Sequence, residues 1–176
     1  MKLISSIALL VFTLNALGQR SLEDIRNAHR EKYIDKKFPE FSVKAINSES
    51  FSNSNFKGKV VFINFWFEAC APCIQKIEGL NQLFEKLKND TNFVFVSFTF
   101  ENYQTIESFK KRHGIEYNIY HMESKQCDSI CCGYPTSFIL DRNGTTRFLF
   151  TGGSPTKEGA TLEILTEIYP NVLKLR

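Results

Sequence analysis

The chain has 176 residues, of which 43% are hydrophobic and 17 are phenylalanine, so it is long enough for one domain with a substantial core. Its formal net charge of +3 is small, and the charged residues form no basic run and no basic patch interleaved with aromatic side chains. These properties argue against a nucleic-acid-binding protein and against a second domain.

The first 18 residues differ in composition from the rest of the chain. Lys2 is the only charged residue before Arg20, the run from Leu3 to Leu14 is mostly apolar, and Ala16-Leu17-Gly18 fits a small-x-small cleavage site. This pattern predicts a secretory signal peptide at residues 1–18 and therefore an exported protein. An uncleaved N-terminal membrane anchor is the alternative, although the apolar run is short for a membrane span.

A helical extension is predicted at residues 19–36, ahead of the main domain. Within it, the segment from Ser21 to Tyr33 has an amphipathic pattern that begins with Ser21 at the N-cap position. Apolar and polar residues then alternate from Phe41 to Ala45, which is typical of a half-buried strand. Asn47 to Asn55 is polar and predicts a turn-rich segment. The main domain is expected to span residues 37–176.

The strongest pattern is an apolar run of valine, isoleucine and phenylalanine inside a predicted strand, Lys59–Phe67, which indicates a strand covered on both faces. The period then changes to three or four residues and predicts a helix from Pro72 to about Lys88. A Cys-x-x-Cys motif, Cys70 and Cys73, lies at the junction. Cys70 is therefore expected at a helix N-terminus, where unpaired N–H groups and the helix dipole favour a thiolate.

The second half of the chain continues this alternation of strands and helices. Strands are predicted at Phe93–Phe100, Ile115–Tyr120, Thr136–Leu140 and Thr146–Thr151. Helices are predicted at Thr105–His113, Glu123–Cys131 and Thr156–Tyr169, the last one ended by Pro170. The sequence Asn143-Gly144 indicates a hairpin turn between the last two strands. This order of elements predicts an α/β protein with a mixed sheet and helices on both faces.

A Cys-x-x-Cys motif that follows a strand in an α/β chain is a candidate for redox chemistry. We expect Cys70, the more exposed of the two, to attack a substrate disulfide, and Cys73, one turn inside the helix, to resolve the mixed disulfide. The alternatives are a permanent structural disulfide or half of a zinc site. A Cys₄ zinc site needs two such pairs, and the chain has one. We therefore expect a site that works without a metal ion and without a cofactor.

The remaining cysteines are Cys127, Cys131 and Cys132. On a helix, Cys127 and Cys131 would share one face at the i, i+4 spacing. Three interpretations stay open: buried free thiols, a second disulfide among them, or a metal or accessory redox role that involves His113 or His121. Because the total of five cysteines is odd, at least one thiol stays unpaired in a monomer.

Several motifs in combination resemble the thioredoxin fold. They are Phe65-Trp66, the Cys70–Cys73 pair, and Gly133-Tyr134-Pro135-Thr136 ahead of a strand. Other motifs resemble its exported TlpA/ResA-like branch, which is related to the AhpC/TSA redoxins. These motifs are the Phe38-Pro39-Glu40-Phe41 opening, Gly58-Lys59-Val60-Val61, and the turn from Phe138 to Gly144. The resemblance covers roughly residues 37–176.

This resemblance implies an extracytoplasmic thiol–disulfide oxidoreductase, usually a reductase, that lies in the periplasm or faces it. Its substrates would be protein thiols and disulfides, its electron donor a membrane or periplasmic protein, and its expected state a monomer without cofactor. Pro135 would be a cis-proline that faces the disulfide, and the backbone of Tyr134 would pair with an extended substrate segment. Trp66 would belong to the same substrate-binding set. Cys132 would lie near this site.

The chain departs from the family pattern at three positions beside the cysteine pair. Ala69 stands where a tryptophan is common, Asn64 where thioredoxins have a buried aspartate, and Lys76 where many TlpA-type proteins have a glutamate. The usual buried proton acceptor for Cys73 is therefore missing in both forms. We expect resolution by Cys73 to be slower, or to use water or another base. Lys76 is expected to point outward, into solvent.

Two other functions compete with disulfide exchange. A thiol peroxidase shares this fold but needs the pattern P-x-x-x-[T/S]-x-x-C, and here Ile63 and Phe67 occupy the proline and threonine positions. A metal-carrying or assembly protein would use the three cysteines from Cys127 to Cys132. The leading prediction is disulfide exchange at Cys70 and Cys73 outside the cytoplasm.

Overall fold

The computed structural model describes residues 22–44 and 50–176. The predicted signal peptide and the Ser21 N-cap lie outside the described residues. A compact unit runs from Tyr33 to Arg176. Within the described part of the chain, no helix combines the length and the apolar character needed to cross a membrane.

The described elements alternate between strand and helix. The strands are β1 (Ser42–Lys44), β2 (Ser50–Ser52), β3 (Val60–Phe65), β4 (Phe93–Thr99), β5 (Ile119–His121), β6 (Thr136–Leu140) and β7 (Thr146–Thr151). The helices are α1 (residues 22–33), α2 (Ala71–Leu87), α3 (Tyr103–His113), α4 (Ser124–Ile130), α5 (Lys157–Glu163) and α6 (Tyr169–Lys174). A 3₁₀ helix, Asn53–Phe56, precedes β3, and a π-helical turn, Ile164–Ile168, joins α5 to α6.

A five-stranded mixed sheet organises the compact unit, with the strand order β5-β4-β3-β6-β7. Strands β3, β4 and β5 are parallel, whereas β6 is antiparallel to β3 and β7 is antiparallel to β6. The predicted mixed sheet is therefore confirmed. Because β3 is central and runs parallel to β4, the carboxyl ends of both strands meet at one edge of the sheet, and the chain enters the Cys70 loop from that edge.

Side chains of β3 alternate between two hydrophobic cores, one on each face of the sheet. Val60 and Phe62 face a core built with α2, α3 and the C-terminal helices. Val61, Ile63 and Phe65 face a second core built with α4 and the segment that leads into β3. Both faces are covered, which confirms helices on both sides and explains why the strand is an unbroken apolar run.

The helix α2 lies on the sheet through apolar residues spaced three and four apart. Leu80, Leu83 and Leu87 on this stripe are almost fully buried. Gly79 on the same helix lets α5 approach closely, because an added Cβ there would lie 3.0 Å from Thr161 Cα. The helix is thus held between the sheet and α5, which fixes the position of its N-terminus.

The strand β2 lies in the segment that was expected to be only turns. It pairs antiparallel with β1, so that Val43 is opposite Phe51. Phe51 stacks on Tyr120 with a ring centroid distance of 4.3 Å. The strand has three residues and a single apolar side chain, too short for a period-two pattern to appear in the sequence.

The prediction that Pro170 ends the last helix was wrong, since α6 continues to Lys174. The π-helical turn directly before Pro170 shifts the hydrogen-bond pattern: the Tyr169 N–H donates to the Ile164 carbonyl, five residues back. Such a turn accommodates a residue that has no N–H to donate. Val172, beyond the proline, is completely buried, and this burial favours continuation of the helix.

Candidate active site

Cys70 is the N-cap residue of α2, at the carboxyl edge of the sheet. Its carbonyl oxygen accepts hydrogen bonds from the N–H groups of Cys73 (3.0 Å) and Ile74 (3.1 Å), and its Sγ accepts from Cys73 N at 3.3 Å. A disulfide joins Cys70 to Cys73, with the Cα atoms 5.2 Å apart. The sulfur of Cys70 therefore lies where the N–H groups and the dipole of a 17-residue helix stabilise a negative charge.

The expectation that Cys70 is the more exposed cysteine was wrong for the disulfide form. Cys70 is 4% exposed and Cys73 is 5% exposed. Both belong to the α2-side core, and the partly buried rings of Phe67 and Tyr134 pack against that core. A substrate must therefore approach a sulfur that is closely surrounded by apolar groups.

The loop before β6 contains the Tyr134–Pro135 peptide bond, which is cis. Two hydrogen bonds hold this loop: Gly152 N donates to the Pro135 carbonyl at 2.8 Å, and Thr136 Oγ1 donates to the Gly133 carbonyl at 2.7 Å. Thr136 pairs with Phe65, the last residue of β3. Tyr134 and Pro135, which the sequence predicts as substrate-binding residues, therefore also lie at the carboxyl end of β3.

Three partly buried rings, Phe67, Phe100 and Tyr134, form an aromatic cluster at this edge. Phe67 and Phe100 are stacked with centroids 5.8 Å apart, and Tyr134 meets each of them edge-on at 5.3 and 6.0 Å. The Tyr134 hydroxyl donates to Asp128 Oδ1 at 3.2 Å. The cluster offers apolar surface on which a substrate chain can pack.

The sequence interpretation did not include Phe67 and Phe100 in the site. A signal existed, because Phe67 follows β3 and Phe100 follows β4. The carboxyl ends of adjacent parallel strands meet at one edge, so residues that follow them are neighbours.

Trp66 lies inside the protein, which differs from the expectation that it contacts substrate. It is 3% exposed, and its ring stacks on Phe109 with centroids 4.4 Å apart. The alternation of side chains along β3 continues to Trp66, the residue after the strand. Trp66 therefore faces the same α2-side core as Phe62, four residues earlier. Its indole Nε1 is buried and has no hydrogen-bond partner in the part of the chain that the structure describes.

Asn64 replaces the buried carboxylate of the thioredoxin pattern with a neutral amide. It is 3% exposed, and its Oδ1 accepts from Ser137 Oγ at 3.1 Å. Its Nδ2 donates to Ser97 Oγ at 3.5 Å, and that hydroxyl donates to the Asn64 carbonyl at 3.3 Å. This network joins β3, β4 and β6 and brings no charge next to Cys73.

The expectation that Lys76 points outward was wrong. The residue is 1% exposed, and its Nζ forms an ion pair with Glu163 Oε1 at 3.1 Å. Burial lowers the pKa of Lys76, and the neighbouring carboxylates of Glu163 and Glu167 oppose that shift. The side chain fits because Gly153 has no Cβ, which would otherwise lie 2.7 Å from Lys76 Cε.

The three remaining cysteines are all free thiols. Cys127 is completely buried, Cys131 is 9% exposed and Cys132 is exposed. Burial raises the pKa of Cys127 to about 12 and raises that of Cys131 as well. Of the three open interpretations, buried free thiols fits Cys127 and Cys131. Cys132 differs from them because it is exposed, and its Sγ lies 3.9 Å from Thr151 Oγ1.

The two histidines proposed as further ligands have other neighbours. His121 Nδ1 is hydrogen-bonded to the Glu101 carbonyl at 2.9 Å, and the ring of His113 packs on Phe109 at 4.3 Å. Across residues 22–44 and 50–176, no group of three or more His, Cys, Asp or Glu side chains is placed to hold a metal ion.

Comparisons with known proteins agree with this geometry. ResA, a thiol–disulfide oxidoreductase of Geobacillus kaustophilus, is 26% identical over 162 residues, which cover 89% of this chain and 91% of ResA. The thioredoxin-like protein YneN of Bacillus subtilis is 28% identical over 123 residues, 68% of this chain and 72% of YneN.

Solved structures show the same fold. StoA from Bacillus subtilis superposes with a TM-score of 0.56 at 26% identity, covering 73% of this chain and 97% of StoA. A putative protein disulfide isomerase from Bacteroides thetaiotaomicron, at 17% identity, superposes with a TM-score of 0.69 over 81% of this chain and 89% of its own. The fold is thioredoxin-like, and the chain is a thioredoxin-like thiol–disulfide oxidoreductase. The model of the AhpC/TSA family matches residues 34–149, and the chain therefore belongs to that family.

Proposed function

We propose that this protein reduces disulfides of other proteins outside the cytoplasm, with Cys70 as the attacking thiolate and Cys73 as the resolving thiol. The observation that carries the proposal is the position of Cys70: it is the N-cap of α2, bonded to Cys73 within the first turn. A helix N-terminus stabilises the thiolate that must attack.

The reaction consists of two exchanges. In the first, the Cys70 thiolate attacks one sulfur of a substrate disulfide, so that a Cys70–substrate disulfide forms and the other substrate sulfur leaves as a thiolate. In the second, Cys73 loses its proton and attacks Cys70, which forms the Cys70–Cys73 disulfide and releases the second substrate thiolate. Both substrate thiolates take up protons. The substrate is reduced, the protein pair is oxidised, and an external dithiol donor restores it.

Substrate recognition is assigned to the loop that contains Pro135 and to the aromatic cluster. The backbone of Tyr134 is proposed to pair with an extended substrate segment, as an added strand would. The Phe67 and Phe100 rings supply apolar surface next to it. A protein disulfide in an extended segment fits this surface, because such a segment can contact both the backbone of the loop and the rings.

The location and the electron donor are proposed from the sequence. The signal-peptide pattern at residues 1–18 supports export, with the periplasm as the compartment. A membrane or periplasmic dithiol protein then supplies the electrons. The protein is proposed to act as a monomer, without a cofactor.

The test is a pair of matched serine variants in an insulin-disulfide reduction assay with excess dithiothreitol. We expect Cys70→Ser to abolish turnover, because it removes the thiol at the N-cap of α2 and leaves Cys73 without the partner with which it forms a disulfide. Cys132→Ser, which removes an exposed thiol outside the pair, should leave turnover unchanged. Turnover that survives in Cys70→Ser would show that another residue is the nucleophile.

A further inference from the structure

A small cavity lies beside Cys73, between the sheet and the helices α2 and α3. Its volume is about 10 Å³, which is room for one water molecule. Four of its lining residues carry polar side-chain atoms, Asn64, Trp66, Cys73 and Tyr117, and the other three are Ile77, Phe109 and Ile115. The cavity thus adjoins the resolving cysteine at the place where the usual carboxylate is missing.

Trp66, one of the residues that line the cavity, carries a buried donor without a hydrogen-bond partner in the part of the chain that the structure describes. Trp66 is 3% exposed, and its Nε1–H has no acceptor among residues 22–44 and 50–176. Buried polar groups in folded proteins are nearly always hydrogen-bonded, either to protein or to water. A donor of this kind beside a cavity of one-water size therefore indicates a water site.

The other polar groups of the lining provide the further partners that a buried water needs. The Asn64 amide uses one N–H and one lone pair on the serines of β4 and β6, which leaves one N–H and one lone pair. The Tyr117 ring is buried, and burial raises the pKa of its hydroxyl, so this side chain stays neutral. Together with Cys73, the cavity offers the two to four partners typical of a structural water.

We propose that one water molecule binds in this cavity, accepts a hydrogen bond from Trp66 Nε1 and donates one to Cys73 Sγ once the pair is reduced. Trp66 is then a positioning residue: because its N–H occupies a lone pair of the water, a water hydrogen points toward the sulfur. This hydrogen bond favours the Cys73 thiolate without a buried carboxylate. The inference rests on the proposed function and specifies how its second exchange proceeds.

The step balances without a further reagent. Cys73–SH releases its proton to solvent, and the hydrogen bond from the buried water stabilises the resulting thiolate. This thiolate forms the S–S bond to Cys70 while the Cys70–substrate S–S bond breaks, and the released substrate thiolate takes up one proton from solvent, so the proton count is unchanged. The buried water is not consumed.

The residues that line the cavity include no Asp, Glu, Lys, Arg or His. Lys76, one turn further along α2, is paired with Glu163, and neither lines the cavity. His113 packs on Phe109, and burial lowers its pKa. A change in the pH dependence of resolution on removal of the N–H therefore reports on the water.

The first experiment compares wild type with Trp66→Phe, which keeps an aromatic ring and removes the N–H. A mixed disulfide is formed at Cys70 with a thiol-reactive chromophoric disulfide, and its release by Cys73 is followed by stopped flow from pH 6 to 9. We expect formation to be unchanged and release to be about 10- to 100-fold slower at pH 7, the range for a hydrogen bond to a charged group. The pH midpoint of release should rise by about one unit or more.

The matched control is Phe62→Leu, which removes a buried aromatic ring from the same core but no part of the cavity lining. Its release rate should keep the wild-type pH midpoint. An equal loss of rate in Trp66→Phe at every pH, or the same midpoint shift in Phe62→Leu, would overturn the proposal, since packing would then explain the effect.

A second measurement observes the water directly in the wild-type protein and is read together with the Trp66→Phe kinetics. Trp66 is the only tryptophan of the chain, so its indole N–H resonance is unambiguous. In the reduced wild-type protein we expect a nuclear Overhauser effect from this N–H to a long-lived water. Its absence, with release in Trp66→Phe at the wild-type rate, would rule out the water. If the proposed function itself is wrong, the result differs from both of these outcomes, because wild type would then form no mixed disulfide at Cys70.

Discussion

At the scale of single residues, the cysteines of this protein separate into two classes by their surroundings. Cys70 lies at a helix N-terminus, where its charged form is stabilised. Cys127 and Cys131 lie in an apolar core, where burial disfavours the thiolate and raises both pKa values. Because Cys70 is as buried as Cys131, the difference between the classes comes from the groups around each sulfur, a helix N-terminus for Cys70 and an apolar core for Cys127 and Cys131.

This difference predicts the outcome of thiol labelling in the oxidised protein. At pH 8, iodoacetamide should modify Cys132, which is exposed, and leave Cys127 and Cys131 unmodified. A pKa of about 12 in place of 9.0 lowers the thiolate fraction of Cys127 about 1,000-fold. Mass spectrometry of the labelled chain measures this. Equal labelling of all three thiols in the folded protein would contradict the account.

The same shift has a consequence for stability at high pH. In the folded state the pKa of Cys127 is about 12, whereas in the unfolded chain it has the ordinary value of 9.0. The thiol therefore stays protonated to a higher pH in the folded protein. Its contribution to the free energy of unfolding is therefore fully present below pH 9 and falls as the pH rises toward 12. Cys127→Ala should show a smaller decline than wild type, because Cys131 contributes in the same direction. Urea unfolding of both proteins at pH 8 and pH 11 measures the difference, and an equal decline in the two would contradict the account.

At the scale of elements, the active-site helix α2 is joined to α5 by the ion pair between Lys76 and Glu163. Lys76 is 1% exposed on its side chain, whereas Glu163 is 22% exposed. The stem of Lys76 also lies against Gly153, next to Gly152, whose N–H donates to the Pro135 carbonyl. The helix of the cysteines and the cis-proline loop are thus held by one connected set of contacts.

The unequal burial of the two partners predicts unequal effects on stability. Glu163→Gln leaves a buried ammonium without its carboxylate and should lower the free energy of unfolding by about 3–5 kcal/mol. Lys76→Met leaves a carboxylate that water can reach and should change it by less than about 1 kcal/mol. Urea unfolding monitored by Trp66 fluorescence measures both. Equal losses in the two variants would contradict this assignment.

The pH dependence of these variants has a defined sign. The pKa of Lys76 is lower in the folded protein than its ordinary value of 10.5, because burial disfavours the ammonium. The folded state therefore gains stability as the pH rises toward 10.5 and loses it as the pH falls through the folded pKa. Removing the Glu163 charge lowers that pKa further, so Glu163→Gln should recover part of its loss as the pH rises toward 10.5, which urea unfolding across this range measures.

At the scale of the whole molecule, the sequence predicts most of the fold because its strong elements are long and periodic. The buried strand before Cys70, the helix after it and the final hairpin all have unambiguous patterns and are found at the expected places. The short strand β2 was missed because it has one apolar residue. The continuation of the last helix past Pro170 depends on a π-helical turn that no local pattern reveals.

The candidate site was predictable where it depends on local sequence and not where it depends on distant partners. The helix N-terminus at Cys70 follows from the strand-to-helix change alone. The burial of Lys76 depends on Glu163 and Gly153, which lie in other parts of the chain. The burial of Trp66 depends on Phe109 of α3. Such contacts arise only once the sheet has assembled.

The central claim is that Cys70 attacks and Cys73 resolves, and it is tested most directly in Cys73→Ser. This variant, reduced and then incubated with an oxidised protein substrate, should accumulate a mixed disulfide, which peptide mapping by mass spectrometry should locate on Cys70. The matched variant Cys70→Ser should accumulate none. A mixed disulfide on Cys132 in the first variant, or an equal amount of adduct on Cys73 in the second, would contradict the account.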